Sequence, residues 1–199
     1  QTVDQNDLPG EWGEAEKLNV GVFRTQLGGS KGDYGSRIIS SIQGGYLVLA
    51  STESYEVSET LNGTDDWVIR LDESGQKVDE YTNSAARYPS FGNMYEASDG
   101  AIYLAGKNWR TNEGVILKLN SDLEVVWEQV YPLAGEAERY TFTDIVEWNN
   151  RLLVAADLWT GDYKLRSSHL HEVDTISGTI SEPIVLPTLE NATINSINK

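Results

Sequence analysis

Three aromatic residues carry the first chemical signal. Tyr55, Trp109 and Trp159 follow the alanine-marked apolar runs ending at Ala50, Ala105 and Ala155 by five, four and four residues. Asn108, Arg110, Asp162 and Tyr163 stand beside them. Flat aromatics interleaved with hydrogen-bonding groups suit stacking on sugar rings or anchoring a protein partner. Tryptophan is also well buried on average, so the same side chains suit sealing the junctions between neighbouring units. Tyr55, Trp109, Arg110, Trp159, Asp162 and Tyr163 are the expected partner- or glycan-binding residues.

Other constellations are weaker. Gly28-Gly29-Ser30-Lys31-Gly32 matches G-x-S-x-G, but a nucleophile elbow needs a strand before it and a helix after it. Here Asp33-Tyr34-Gly35 and a strand follow, which reads as a glycine-rich connection. His169-x-His171 puts two imidazoles on one strand face, the beginning of a zinc pair. Aligned with Trp67 and Ile69 they face inward, where packed, hydrogen-bonded histidines are the expectation. Asp65-Asp66 reads as a strand cap rather than a cation site. With no cysteine, disulfides, thiolate catalysis and Cys-ligated metals are excluded. No catalytic residue, metal or cofactor is expected. Acidic residues number 31, so the alternative is a carbohydrate-active enzyme, a glycoside hydrolase or lyase, using paired carboxylates.

The elements that would hold these residues recur at a period near fifty. Gly44-Gly45-Tyr46-Leu47-Val48-Leu49-Ala50 and Asp66-Trp67-Val68-Ile69-Arg70-Leu71-Asp72 form the clearest copy. Asp99-Gly100-Ala101-Ile102-Tyr103-Leu104-Ala105 with Val115 to Asn120, and Asn149 to Ala156 with His169 to Asp174, form the others. Such a period marks units that stack to bury their apolar faces. Each reads as four antiparallel strands. In the first unit these are Ser36 to Ile42, Tyr46 to Ser51, Trp67 to Leu71 and Gln76 to Tyr81. Gly44-Gly45 supplies a tight hairpin, and Asp72 to Gly75 a turn. The second unit has its turn at Asn120-Ser121-Asp122 and a fourth strand from Glu124 to Tyr131. The third has its turn from Asp174 to Gly178.

The expected organisation is a polar acidic tether over 1–18 and propeller-type repeats over 19–199. The repeats span about 36–81, 88–131 and 140–182, with a partial fourth from about 190. Asn19 to Leu27 reads as a fourth strand without its first three, and Ala192 to Ile197 as a first strand without followers. The fold class is therefore all-β, a β-propeller-type array of four-stranded antiparallel blades forming an incomplete ring. More chain beyond Lys199, or a partner covering the open edge, is expected. Equivalence of Ala50, Ala105 and Ala155 is the structural test of this array.

A net charge of −16 repels phosphate backbones, which argues against nucleic acid. No apolar run approaches the ~18 residues of a membrane helix. Gln1 in place of Met suggests that a leader has been removed or that the chain is a fragment. Asn62-Gly63-Thr64 and Asn191-Ala192-Thr193 are sequons only in a eukaryotic secretory setting.

The stretches GGYLVLASTES and DDWVIRLDESGQKV resemble a repeat of exported, often lipid-anchored Bacteroidota β-propeller proteins. The likeness covers about 19–199 and is weakest in the third repeat, where His171 and Glu172 replace an apolar residue and a lysine. Asp174-Thr175-Ile176 is similar to the O-glycosylation site of those organisms. The resemblance implies export, to the cell surface, outer membrane or periplasm, with a lipid anchor upstream of Gln1. It transfers no catalytic residues. The expected role is a non-enzymatic binding or scaffold module, an accessory subunit of a membrane-associated assembly. A protein partner is favoured over a glycan, because an open array leaves a sheet edge that needs cover.

Overall fold

The computed structural model describes residues 23–54, 64–83, 89–133, 138–160 and 165–185. The tether, the partial fourth repeat, both sequon asparagines, Tyr55, Asp162 and Tyr163 lie outside them. The described residues form strands and turns, with no helix.

Twelve strands make three four-stranded sheets. The first holds β1 (Asp33–Ser40), β2 (Tyr46–Thr52), β3 (Asp65–Leu71) and β4 (Lys77–Thr82). The second holds β5 (Pro89–Glu96), β6 (Ile102–Asn108), β7 (Gly114–Leu119) and β8 (Val125–Tyr131). The third holds β9 (Arg139–Trp148), β10 (Arg151–Trp159), β11 (Leu165–Val173) and β12 (Ile184–Val185). Each sheet is an antiparallel meander in chain order. This is the all-β, four-stranded organisation read from the repeats.

The two-residue period of a strand divides the apolar residues between two faces. Leu47, Leu49 and Val68 of the first sheet meet Phe91, Met94, Ile102, Leu104, Val115 and Leu117 of the second. Tyr103, Ala105 and Ile116, on the far face of the second, meet Tyr140, Phe142, Leu152, Val154 and Ala156 of the third. Trp67, Ile69 and Leu71 share the remaining face of the first sheet with Ala50. Full burial of each large side chain at a junction contributes about 2 kcal/mol, so stacking dominates cohesion.

Two sequence expectations need correction. Tyr46, Ile102 and Leu152 pair with Leu71, Leu119 and Val173, so Ala50 is equivalent to Gly106 and Ala156. Ala105 and Ala155 instead match Leu49, so the alanine equivalence fails by one residue in the first repeat. Gly44 and Gly100 are the turn equivalents, at φ 89° and 86°, whereas sequence matching set Gly45 against Gly100. The four-strand order is unaffected. The expected strand over 19–27 is also absent from its described part. Residues 23–27 make no ladder; they lie on the first sheet, with Phe23 tilted against Tyr46 and Thr25 donating to the Gly75 carbonyl.

Gly45 itself is fixed by geometry. Its φ is 71°, and a Cβ there would run into the Leu71 carbonyl and the Asp72 backbone. Gly45→Ala should lower stability by about 2 kcal/mol, read from the urea midpoint. An unchanged midpoint would contradict this hairpin.

A polar contact also repeats across the junctions. Arg70 and Lys118 hold the same position, one residue before the end of β3 and of β7. Arg70 Nη2 donates to the Ser121 carbonyl at 2.7 Å, and Lys118 Nζ to the Thr175 carbonyl at 2.8 Å. Each acceptor is the second residue of the turn before the fourth strand of the next sheet. Trp127, Gln129 and Tyr131 add donors to Thr175, Ser177 and Gly178. In the third sheet the position is Glu172, which pairs with Arg151 on the adjacent strand.

Candidate functional site: an aromatic and cationic rim

The ends of β2, β6 and β10 and the starts of β1, β5 and β9 share one rim. At β6 the chain turns within five residues. Asn108 Oδ1 accepts the backbone N–H groups of Arg110 and Thr111, and Asn112 adopts φ 61°. The Asn112 carbonyl then accepts the N–H of Tyr140, tying this turn to the third sheet. Such a side-chain-capped turn is organised before any ligand arrives.

This turn leaves Trp109 62% exposed, the most exposed tryptophan among the described residues. Lys107 Nζ lies 3.5 Å from the centre of its ring. Trp159 ends β10, half-buried and paired with Arg139 of β9. The Arg139 guanidinium carbon lies 5.9 Å from its ring centre. The two cations are near enough that Arg139, after burial, helps hold the Lys107 ammonium below its usual range. Trp109 and Trp159, proposed from spacing, are thus brought to one rim, each with a cation on its ring. Arg110 sits in the same turn and is exposed. Spacing did not reveal Lys107 or Arg139. Lys107 is the next-to-last residue of β6 and Trp109 the first of the turn that follows, so strand alternation does not relate them and the turn sets their contact. Arg139 reaches Trp159 only through strand pairing.

The remaining sequence candidates resolve into structure. Ser30 lies in an exposed connection with β1 and no helix after it. There Asp33 accepts from Thr52, Ser54 and the Gly29 N–H, and the Thr52 hydroxyl first among these holds its carboxyl below the usual range. His171 is buried, with Nδ1 2.9 Å from the Ser181 carbonyl and Nε2 2.6 Å from the Tyr140 hydroxyl. A carbonyl only accepts, so Nδ1 carries the hydrogen and Nε2 accepts from tyrosine. Burial pushes this imidazole below its usual pKa. His169 bonds Ser167 at 2.9 Å. These are the packed histidines expected. Among the described residues no cluster of three or more His, Cys, Asp or Glu could hold a metal ion. Thr175 lies on an exposed turn beside Ile176, which is 87% exposed.

Several inner-strand carboxylates are engaged in hydrogen bonds. Glu96 accepts from Ser41 Oγ and the Ile42 N–H, Asp144 from Asn93, and Glu147 from Ser98. Asp66 is different. It is 5% exposed, Oδ1 accepts the Phe91 N–H at 3.1 Å, and Oδ2 has no hydrogen-bond partner. Burial, then the charges of Asp65 and Glu128, push its carboxyl up to about 7. A shallow cleft lined by Gln43, Arg70, Asp72, Glu73 and Val78 lies at the opposite rim, away from the tryptophans.

No family model and no curated protein matches the chain. Among solved structures the chain is similar to a sucrose-6-phosphate hydrolase from Lactobacillus gasseri, with a TM-score of 0.53 and 11% identity. The match covers 79% of this chain and 35% of that one, so the chain spans about a third of the length of that structure. At this identity the likeness concerns the fold: stacked antiparallel four-stranded sheets of propeller-like type. No helix among the described residues is long and apolar enough to cross a membrane.

Proposed function

We propose that this chain is a non-enzymatic recognition module, exported to the cell surface or periplasm, that binds carbohydrate on the rim carrying Trp109 and Trp159. The sheets would belong to a propeller-type ring, and the rim would be one of its faces. The observation that carries the reading is Trp109 itself. A tryptophan that is 62% exposed, on a turn held by its own hydrogen bonds, contributes nothing to the core. Rigid aromatic surface of this kind loses little entropy on binding. The propeller-like similarity to a sugar hydrolase is compatible with a sugar ligand, without transferring that enzyme's activity.

Trp109→Ala should leave the urea midpoint within about 0.5 kcal/mol of wild type, because the ring is exposed. It should weaken glycan retention at least about tenfold, the usual effect of losing an interface tryptophan. Affinity electrophoresis against a panel of polysaccharides reads the second quantity. Unfolding of the variant, or undiminished retention, would refute the assignment.

A protein partner is the second reading, favoured by the outer strands. Val78 of β4 and Val125, Val126 and Val130 of β8 are exposed along sheet edges. Edge strands with apolar side chains are natural pairing surfaces. Co-purification of a stoichiometric protein from the native membrane, lost when Val125 and Val126 become lysine, would support an accessory-subunit role. Measured turnover of a polysaccharide would instead favour a carbohydrate-active enzyme.

A further inference from the structure

Lys107 is a buried cation whose partner is a ring and not a carboxylate. It is 9% exposed, in a chain carrying 31 acidic residues against 15 basic ones. Among the described residues no carboxylate lies within ion-pairing distance of its ammonium. Its described partner is the ring of Trp109, and its charged neighbour is Arg139, a second cation. A lysine kept from water with no counter-ion, and beside a like charge, reduces stability. Packing alone does not require it, since a methionine of similar shape would fill the same space.

We infer that Lys107 and Arg139 together form a seat for an anionic group, and that the sugar bound at this rim is an acidic one, carrying a carboxylate, sulfate or phosphate. This rests on the proposed carbohydrate reading and narrows it. A cation over a ring is held by the ring's quadrupole alone, whereas an anion offers a full opposite charge and a charge-assisted hydrogen bond together. The ammonium therefore exchanges the ring for the anion when both are offered. The exposed face of Trp109 then stacks on the sugar ring that bears the anion. Binding would also raise the Lys107 pKa back toward its usual range, since a nearby negative charge favours the protonated form.

The test uses the full chain and paired probes. Trigalacturonate and its methyl ester share one carbohydrate skeleton and differ in charge. A heparin tetrasaccharide and glucose 6-phosphate supply sulfate and phosphate, and a tetraglutamate peptide supplies acidity without sugar. Tryptophan fluorescence titrations at 50 mM salt should show at least one acidic sugar binding. It should bind about tenfold or more tightly than its neutral counterpart, methyl trigalacturonate, desulfated tetrasaccharide or glucose. The difference should shrink at 500 mM salt and vanish in Lys107→Met, whose thermal midpoint should equal or exceed that of wild type. Equal affinity for acidic and neutral sugars, both lost in Trp109→Ala, would overturn the anion seat and leave the carbohydrate reading standing. Binding of tetraglutamate in preference to every sugar would overturn both in favour of an acidic protein partner. Absence of binding to all probes would overturn both as well. A thermal midpoint lowered in Lys107→Met, with acidic-sugar affinity unchanged, would show that the lysine is structural.

Discussion

Arg70→Ala should unfold about 2–4 kcal/mol more readily than the wild-type chain, because it removes several hydrogen bonds from a charged donor at a buried junction. Arg70 is 8% exposed. Its Nη1 donates to Gln43 Oε1 at 2.9 Å and to Ser41 Oγ at 3.3 Å, and its Nη2 to the Ser121 carbonyl at 2.7 Å. Ser41 Oγ in turn donates to buried Glu96 at 3.0 Å, and Glu96 also accepts the Ile42 N–H at 2.8 Å. Alanine would remove the positive charge that Ser41 links to Glu96, and would leave the Ser121 carbonyl and Gln43 Oε1 without the Arg70 donor. Such a deficit costs more than the bonds contributed when made. Arg70→Lys should recover part of the loss, since Lys118 makes the corresponding single bond in the next sheet. Urea denaturation of both variants provides the check. A midpoint for Arg70→Ala within 1 kcal/mol of wild type would mean that the junction does not depend on this network.

Asp66→Asn should stabilise the protein at pH 8, stabilise it less at pH 5, and change it little near pH 3. The folded carboxyl is raised from 3.8 to about 7. Between those values the native state holds a proton that the unfolded chain releases, so stability falls as pH rises through that window. Above about pH 7 the buried carboxyl must ionise with Oδ2 unpaired, at a cost approaching 4 kcal/mol for a shift of about three units. Asparagine keeps an oxygen for the Phe91 N–H and carries no charge. Wild type should therefore lose stability between pH 5 and pH 8 while the variant stays nearly level. Parallel slopes for the two proteins would remove Asp66 as the group responsible.

What the sequence disclosed follows from the range of the forces involved. Asp72, Asn120 and Asp174 mark their turns because each side chain bonds N–H groups two to four residues ahead, entirely within its own segment. Strand faces were legible for the same reason, through alternation over Trp67, Ile69 and Leu71. The register error at Ala50 arose where two adjacent glycines offered two equally good local matches, and strand pairing decided between them. Asp66 shows the converse. Counting by twos from Val68 places it at the junction, but a pair of aspartates reads as a solvated cap unless the neighbouring sheet is known. The seat at Lys107 depends on Arg139, more than thirty residues away, and no local pattern joins them. Of the aromatic positions, Trp109 and Trp159 occupy the rim as read, while Tyr55, Asp162 and Tyr163 lie outside the described residues.

The Arg70 and Lys118 contacts give the stack a polarity. The first and second sheets each offer a cation from the third strand, and the second and third each receive one at a turn carbonyl, so the two faces of the second sheet are unlike and complementary, as in a head-to-tail assembly. Surfaces of that kind carry an inherent hazard: whenever a terminal giving face can dock on a receiving face of another molecule, growth continues without closure. Glu172 sets a carboxylate where the donor stands in the other two sheets and occupies it with Arg151. An acceptor facing an acceptor makes no bond. At this position the third sheet therefore cannot repeat the contact that joins it to the second, and whatever packs against it must be held by other groups.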